Sequence, residues 1–326
     1  MRLFGTAEID AALSFPGLID TLAEAFRGNA VVPPRAHHRI ERPGEEAVLL
    51  IMPAWSAPDA EQPYIGTKIV SVFFGNGARS LPGVMGAYLL MDGRTGAPLA
   101  VMDGNRLTLW RTAAASALAS RHLANPTASK MLMVGAGGLA PFLVKAHRAV
   151  RPLTDIAIWA RRPEAAEAVA AQLVAEGIEA RAVTDLEGEA RTSDIISCAT
   201  NATQPLIHGR WLKRDAHLDL VGAFTMQMRE ADADALERAR VVVDSEKAID
   251  EGGDVAIGID EGSYAADRVA GTLTDLCHGR LPGHAEGGEI LSGQTRTGAP
   301  PSAPSSHSTS STTSASPSTP PSPVVP

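Results

Sequence analysis

The segment from Met131 to Ala140 constrains this chain more than any other. A short apolar run, Met131-Leu-Met-Val134, passes directly into Gly135-x-Gly137-x-x-Ala140 and then into residues at helical spacing. A strand feeding a helix through such glycines predicts a dinucleotide site. The glycines permit a tight turn and close backbone approach, while the helix N-terminus turns N–H donors and a positive dipole end toward a pyrophosphate. Gly135, Ala136, Gly137, Gly138 and Leu139 are the expected pyrophosphate contacts. About twenty residues on, a second strand-like run over residues 154–160 ends in Arg161-Arg162-Pro163, where an acidic residue would hold a ribose 2′-hydroxyl. Guanidinium groups instead suit a 2′-phosphate through charge-assisted, often bidentate hydrogen bonds. The expected cofactor is therefore NADPH, with NADH also admitted, and Arg161 and Arg162 are its expected phosphate partners.

The rest of the chain falls into two patterns and a tail. Residues 1–125 read as an α+β unit: apolar residues at helical spacing over 9–26, then strand-like runs at 36–42, 47–54, 64–72, 86–92 and 98–103, then an Ala-rich helix over 107–123. The clusters Asp92-Gly-Arg-Thr-Gly96 and Asp103-Gly-Asn105 read as hairpin turns. A sheet of that size needs covering by helices or by a second subunit, so a homodimer is expected. Residues 126–272 alternate strand and helix, with strands expected at 131–134, 156–159, 181–183, 195–199, 217–221 and 240–244, and helices at 139–150 and 163–176. That alternation predicts a doubly wound parallel sheet. From Ser292 the chain is mostly Ser, Thr, Pro and Ala, with no Asp, Glu, Lys or Arg after Arg296, so 292–326 is expected to be disordered.

Composition excludes several partners. A net charge of −8 argues against nucleic acid and anionic membranes, and no apolar run approaches the roughly 18 residues a membrane span needs. Cys198 and Cys277 form no C-x-x-C pair, so neither a metal site nor a disulfide framework is indicated, and a reducing cytoplasm is the expected location.

Blocks in order along the chain resemble the ornithine cyclodeaminase/μ-crystallin family over roughly residues 1–290: Val32-Pro-Pro-Arg35, Met52-Pro-Ala54, Gly66-Thr-Lys68, Leu81-Pro82, Arg111-Thr-Ala-Ala114, Gly135-Ala-Gly137 and Val221-Gly-Ala223, followed by Arg229-Glu230. The resemblance implies a Rossmann-type nucleotide domain inserted into a substrate and dimerisation domain, with a return segment at 273–291 and an active site in the cleft between them. It implies that Arg35, Lys68 and Arg111 bind a substrate carboxylate, Arg as a planar fork and Lys as a compact charge. Lys68 is also the expected catalytic group, because a Lys among other cations or out of water can titrate near neutrality. Thr112, Ala199 and Thr200 are expected at the nicotinamide half, and Gly222 is a further expected cofactor contact.

One departure from the family pattern selects among activities. Cyclodeaminases carry an Asp in the block after Val221-Gly222, whereas this chain has Phe224, which cannot move a proton. Positioned proton transfer is typically worth about 10²–10⁴ in rate, so its loss disfavours deamination. The expected reaction is reduction of a cyclic ketimine acid: Δ1-pyrroline-2-carboxylate to L-proline, or its six-membered counterpart Δ1-piperideine-2-carboxylate to L-pipecolate. The alternatives are ornithine cyclodeaminase itself and a non-catalytic, crystallin-type NADPH-dependent binder.

Overall fold

The computed structural model of the chain describes residues 1–42, 45–284 and 290–294. Its first sheet takes β1 (Arg2–Phe4), β2 (Ala36–Arg42), β3 (Glu45–Trp55), β4 (Tyr64–Phe73), β5 (Val84–Asp92) and β6 (Pro98–Asp103), in the spatial order β1-β6-β5-β4-β3-β2. Neighbours are antiparallel except β1 and β6. Side chains alternate across the pleat, so Gly66, Lys68, Val70 and Val72 share one face of β4. On that face Val70 and Val72 pack with Leu50 of β3, supported by Val48 and Met52. The opposite face is apolar too, yet Leu3 is 74% exposed, Trp55 40% and Ile69 39%.

Two helices, α1 (Thr6–Ala12) and α2 (Phe15–Arg27), occupy the stretch where one helix over 9–26 is expected. The break falls at Leu13-Ser14, both extended, with Pro16 in the first turn of α2. A proline ring has no N–H to give and excludes the helical carbonyl four residues before it, so the chain restarts there. At Asp92 the expected turn is present: its carboxylate accepts from Arg94 N–H at 3.0 Å and Thr95 N–H at 2.8 Å. Asp103 behaves differently from the expected hairpin turn. Its carboxylate caps α3 (Gly104–Leu123) through Asn105 N–H at 2.9 Å and Arg106 N–H at 3.0 Å. An Asp that satisfies backbone donors two and three residues ahead opens a helix as readily as a turn.

The second sheet is wholly parallel: β7 (Lys130–Val134), β8 (Asp155–Trp159), β9 (Arg181–Val183), β10 (Ile195–Cys198), β11 (His217–Leu220), β12 (Ala239–Val243), β13 (Gly271–Thr272) and β14 (Ile290–Gln294), in the order β13-β12-β14-β11-β10-β7-β8-β9. Helices α4 (Ala140–Arg148), α5 (Pro163–Ala175), α6 (Leu186–Thr192), α7 (Ala233–Arg238), α8 (Ala248–Glu251) and α9 (Asp254–Asp260) connect its strands. Residues 131–134 are buried throughout because both faces of the sheet are covered. Met131 and Met133 pack into one core with α3 and α4; Leu132 and Val134 pack into the other with Leu218, Leu220 and Leu236. The architecture is α/β, a Rossmann-type doubly wound sheet inserted into an α+β unit, and α10 (Leu273–Cys277) closes back onto the core formed by α2 and α3.

The expected tail begins differently. Residues 292–294, assigned to it, lie in β14, which pairs with β11 on one side and β12 on the other. Two parallel strands that do not pair with each other leave two unpaired edges, and one extended segment between them satisfies both, whatever its composition. Residues 295–326 of the expected tail lie outside the described residues. No helix among the described residues is long and apolar enough to cross a membrane.

Candidate active site

A cleft of about 510 Å³ opens beyond the C-terminal ends of β7, β8 and β10. There β7 lies between β8 and β10, and chain connections depart in opposite directions, which is where doubly wound sheets bind ligands. Of the sequence-predicted residues, Gly135, Ala136, Gly137, Arg161, Arg162, Ala199 and Thr200 line this cleft. Gly135 has φ of +115°, and a Cβ there would fall against the Ala199 carbonyl, so glycine is required on two counts. Around Gly137 and Gly138 the situation is reversed, with no atom within 4 Å of where a Cβ would stand, at the start of α4. The cleft lining holds two guanidinium groups and no carboxylate.

Gly138, Leu139, Thr112 and Gly222 do not line the cleft wall. Gly138 and Leu139 complete the turn into α4. Thr112 is fully buried on α3, and its hydroxyl has no hydrogen-bond partner among the described residues. Gly222 stands behind Thr200, with a Cβ there only 2.6 Å from Glu230 Oε1 and still nearer the Thr200 backbone. A bare glycine flank at a helix start and a cationic rim suit a dinucleotide.

The three predicted carboxylate-binding cations converge from three elements: Arg35 just before β2, Lys68 in mid β4 and Arg111 on α3. Each is partly buried. Burial above all, then Arg111 and Arg35, lowers Lys68 from 10.5 to about 7. Arg111 is lowered by burial and by Arg35, against the pull of Asp244, and Arg35 by burial, again opposed by Asp244. Asp244, which follows β12, thus brings a negative charge from the nucleotide sheet to two of the three cations. Tyr88 lies directly across the strand pair from Lys68, and its ring packs over Gly66, which explains the small residue two positions before the lysine. Burial raises the Tyr88 hydroxyl above its ordinary pKa.

Sequence reasoning gave no role to three buried carboxylates, Asp219, Glu230 and Asp254. Asp219 on β11 accepts from Ser116 of α3, from Ser197 Oγ at 2.6 Å and meets His147 Nε2 at 3.2 Å, tying α3 to the sheet four residues beyond Thr112. Burial pushes its carboxyl up, but His147, His217 and Ser116 outweigh that and hold it below the ordinary value. Glu230 is fully buried and accepts from Thr200 N–H at 2.6 Å, Thr200 Oγ1 at 2.8 Å, Gly222 N–H at 2.8 Å and Ala223 N–H at 3.3 Å. Its own N–H donates to Asp254 Oδ1 at 2.8 Å. Burial and then the Asp254 charge push Glu230 up, against the hydrogen bonds from Thr200 and Gly222 that favour its carboxylate, and burial pushes Asp254 up to about 6. Arg229-Glu230 stands out in the sequence as a block without a role; Asp244 carries no signal beyond closing the apolar run of β12. Cys198 is fully buried and its thiol is pushed well up by burial, which makes it a packing residue.

Comparison with known proteins agrees with this layout. The model of the ornithine cyclodeaminase/mu-crystallin family matches residues 3–292. Protein SAR DEFICIENT 4 of Arabidopsis thaliana is 38% identical over 293 residues, covering 86% of this chain and 89% of that protein. A Δ1-pyrroline-2-carboxylate reductase of Colwellia psychrerythraea is 31% identical over 283 residues, covering 85% and 88%. The solved Δ1-pyrroline-2-carboxylate reductase of Thermococcus litoralis, in complex with NADH and L-proline, is similar with a TM-score of 0.82 at 29% identity, covering 90% of this chain and 92% of that one. With the family model spanning the nucleotide sheet, the cation cluster and the strands that hold it, this chain belongs to the ornithine cyclodeaminase/mu-crystallin family.

Proposed function

We propose that the protein is an NADPH-dependent oxidoreductase that reduces a cyclic ketimine acid, Δ1-pyrroline-2-carboxylate to L-proline, with Δ1-piperideine-2-carboxylate to L-pipecolate as the six-membered counterpart. The convergence of Arg35, Lys68 and Arg111 carries this reading, because three cations meeting from three elements offer a fork-and-point-charge set suited to a small carboxylate. The likeness to reductases, one of them solved with NADH and L-proline, supports it. Arg161 and Arg162 at the cleft rim, with no carboxylate in the lining, favour the 2′-phosphorylated cofactor, and NADH is also admitted.

Gly135, Ala136, Gly137, Arg161 and Arg162 would hold NADPH, which would supply the hydride that C2 of the ring receives. The chain's own residues orient and charge the substrate. Arg35 and Arg111 grip the carboxylate, fixing the ring plane against the cleft. Lys68, near pKa 7, exists in both protonation states at neutral pH and gives its proton to the imine nitrogen, so that the nitrogen accepts the C=N electron pair as C2 is reduced. Asp244 offsets the surplus positive charge that would otherwise trap the product carboxylate. Phe224 offers an apolar surface in place of an acid/base group, in keeping with a substrate that is already cyclised. We assign residues 1–125 with 273–291 to substrate binding and dimerisation, and 126–272 to the cofactor. The open apolar face bearing Leu3, Trp55 and Ile69 fits a homodimer, which light scattering on the purified protein tests directly.

The decisive assay follows absorbance at 340 nm. Rapid NADPH oxidation with Δ1-pyrroline-2-carboxylate is the expected result, and Arg111→Ala should raise the substrate KM at least about tenfold with NADPH affinity unchanged. Ammonia release from ornithine with NAD⁺, in place of imine reduction, would overturn the reading in favour of a cyclodeaminase.

A further inference from the structure

Glu230 has none of the solvent contact or cleft exposure of a catalytic group, yet its carboxylate joins the Thr200 segment, which lines the nucleotide cleft, to the Gly222 segment packed behind it. Oε1 takes both donors of Thr200, in the segment following β10, and Oε2 takes Gly222 and Ala223, in the segment following β11. The main chain repeats the pattern, since Leu206 and Ile207 N–H groups donate to the Glu230 carbonyl at 2.9 and 3.0 Å, and Arg229 N–H donates to Ala202 O at 2.8 Å. The loop from Ala199 to Leu206, most of which lines the cleft, is thus wrapped around this one residue. Glu230 is itself held in place, with its N–H and that of Ala231 both on Asp254 Oδ1, at 2.8 and 2.7 Å. Gly222 leaves no room for adjustment, because a side chain there would meet Thr200 and Glu230 together.

We propose that Glu230 is a positioning residue for the hydride-transfer geometry: by clamping the Thr200 and Gly222 segments into one surface, it sets where the nicotinamide ring rests, while the pyrophosphate and adenosine ends bind independently of it. The proposal rests on the dinucleotide reading of the cleft. It differs from a purely structural role in one respect. Among the described residues no hydrogen bond joins Glu230 to the glycine turn or to Arg161-Arg162, so disturbing the clamp should separate binding from ring placement.

Glu230→Gln is the informative change. An amide offers one acceptor and one donor where two acceptors are needed, so in either orientation an NH₂ group faces N–H donors. NADPH is titrated into the wild type and the variant while the emission of the reduced nicotinamide is recorded, alongside turnover per bound NADPH with the imine acid. The expected result is a Kd within threefold of wild type, loss of the emission enhancement and blue shift of a seated ring, and turnover per site down at least tenfold. Thr200→Val, which deletes the hydroxyl's bonds to Glu230 Oε1 and from Ala202 N–H and keeps the backbone N–H on Glu230, should show the same split more weakly, and it serves where Glu230→Gln does not fold. Unchanged emission and turnover per bound NADPH in the folded variant would overturn the proposal, as would affinity and turnover falling in proportion. A wild-type protein that binds NADPH but reduces no cyclic imine acid refutes the substrate reading alone, and the emission comparison still decides for or against Glu230. Absence of NADPH binding by the wild type overturns both.

Discussion

Replacing Lys68 by methionine should stabilise the protein at neutral pH while abolishing turnover. The ammonium falls from 10.5 to about 7 because burial, then Arg111 and Arg35, disfavour its charge. At about 1.4 kcal/mol per tenfold change in proton affinity, that displacement has an upper bound of about 5 kcal/mol. Partial solvent access screens it, and about half, roughly 2–3 kcal/mol, is the working figure. Between about pH 7 and 10.5 the folded protein holds fewer protons on Lys68 than the unfolded chain does, so wild-type stability rises with pH across that window. The cost is fully developed below about pH 7 and absent above 10.5. Lys68→Met keeps the aliphatic stem and removes the proton. Its advantage should be roughly 2–3 kcal/mol at pH 7, equivalent to about 3–5 °C in Tm for a chain of this size, and should shrink as the pH approaches 10. Urea or thermal unfolding of both proteins without ligand, at several pH values from 6 to 10, measures it. A variant no more stable than wild type at pH 7, or a difference that does not vary with pH, would refute the account of the cation cluster. Turnover should fall at least about 10²-fold, through loss of the proton donor.

The same lysine predicts that kcat/KM for imine reduction declines as pH rises through about 7, where the donor form is lost, and a pH-rate profile checks this. Bound substrate carboxylate favours the ammonium, so the corresponding inflection in kcat should lie higher. Changing Arg161 and Arg162 together to Ala should reduce the preference for NADPH over NADH by about 10- to 100-fold, read from the ratio of kcat/KM values; an unchanged ratio removes the phosphate argument. Gly135→Ala forces a side chain into a left-handed backbone against Ala199, and should cost about 1–3 kcal/mol of stability and most of the NADPH affinity, measured by unfolding and by fluorescence titration.

Local patterns were enough for much of the architecture. The strands expected at 36–42, 98–103 and 181–183 coincide with β2, β6 and β9, because two-residue alternation or continuous apolar runs bounded by turn residues admit few other solutions. The glycine turn and the paired arginines were legible for the same reason: a backbone bend without side chains and a charge type at a strand end are properties of neighbouring residues. Local patterns failed where the deciding contact was remote. Asp103 reads equally as a turn or a helix cap until α3 packs against the sheet, and residues 292–294 carry no strand signal of their own because their partners are β11 and β12.

The cation cluster divides along the same line. Family motifs named Arg35, Lys68 and Arg111, but their chemistry depends on how close they come and how little water reaches them, and only three elements meeting in space bring Lys68 near neutrality. Asp244 and Asp219 escaped notice, and Glu230 stood in a family block without a role, because a carboxylate in a sequence is ordinarily a solvated charge. Residue order thus dictated the alternation of strands and helices and the nucleotide turn, since both follow from short-range backbone and side-chain preferences. Burial, long-range charge coupling and the clamp beneath the cleft arise from residues tens of positions apart, and those terms come into being only when the packed chain excludes water from between them.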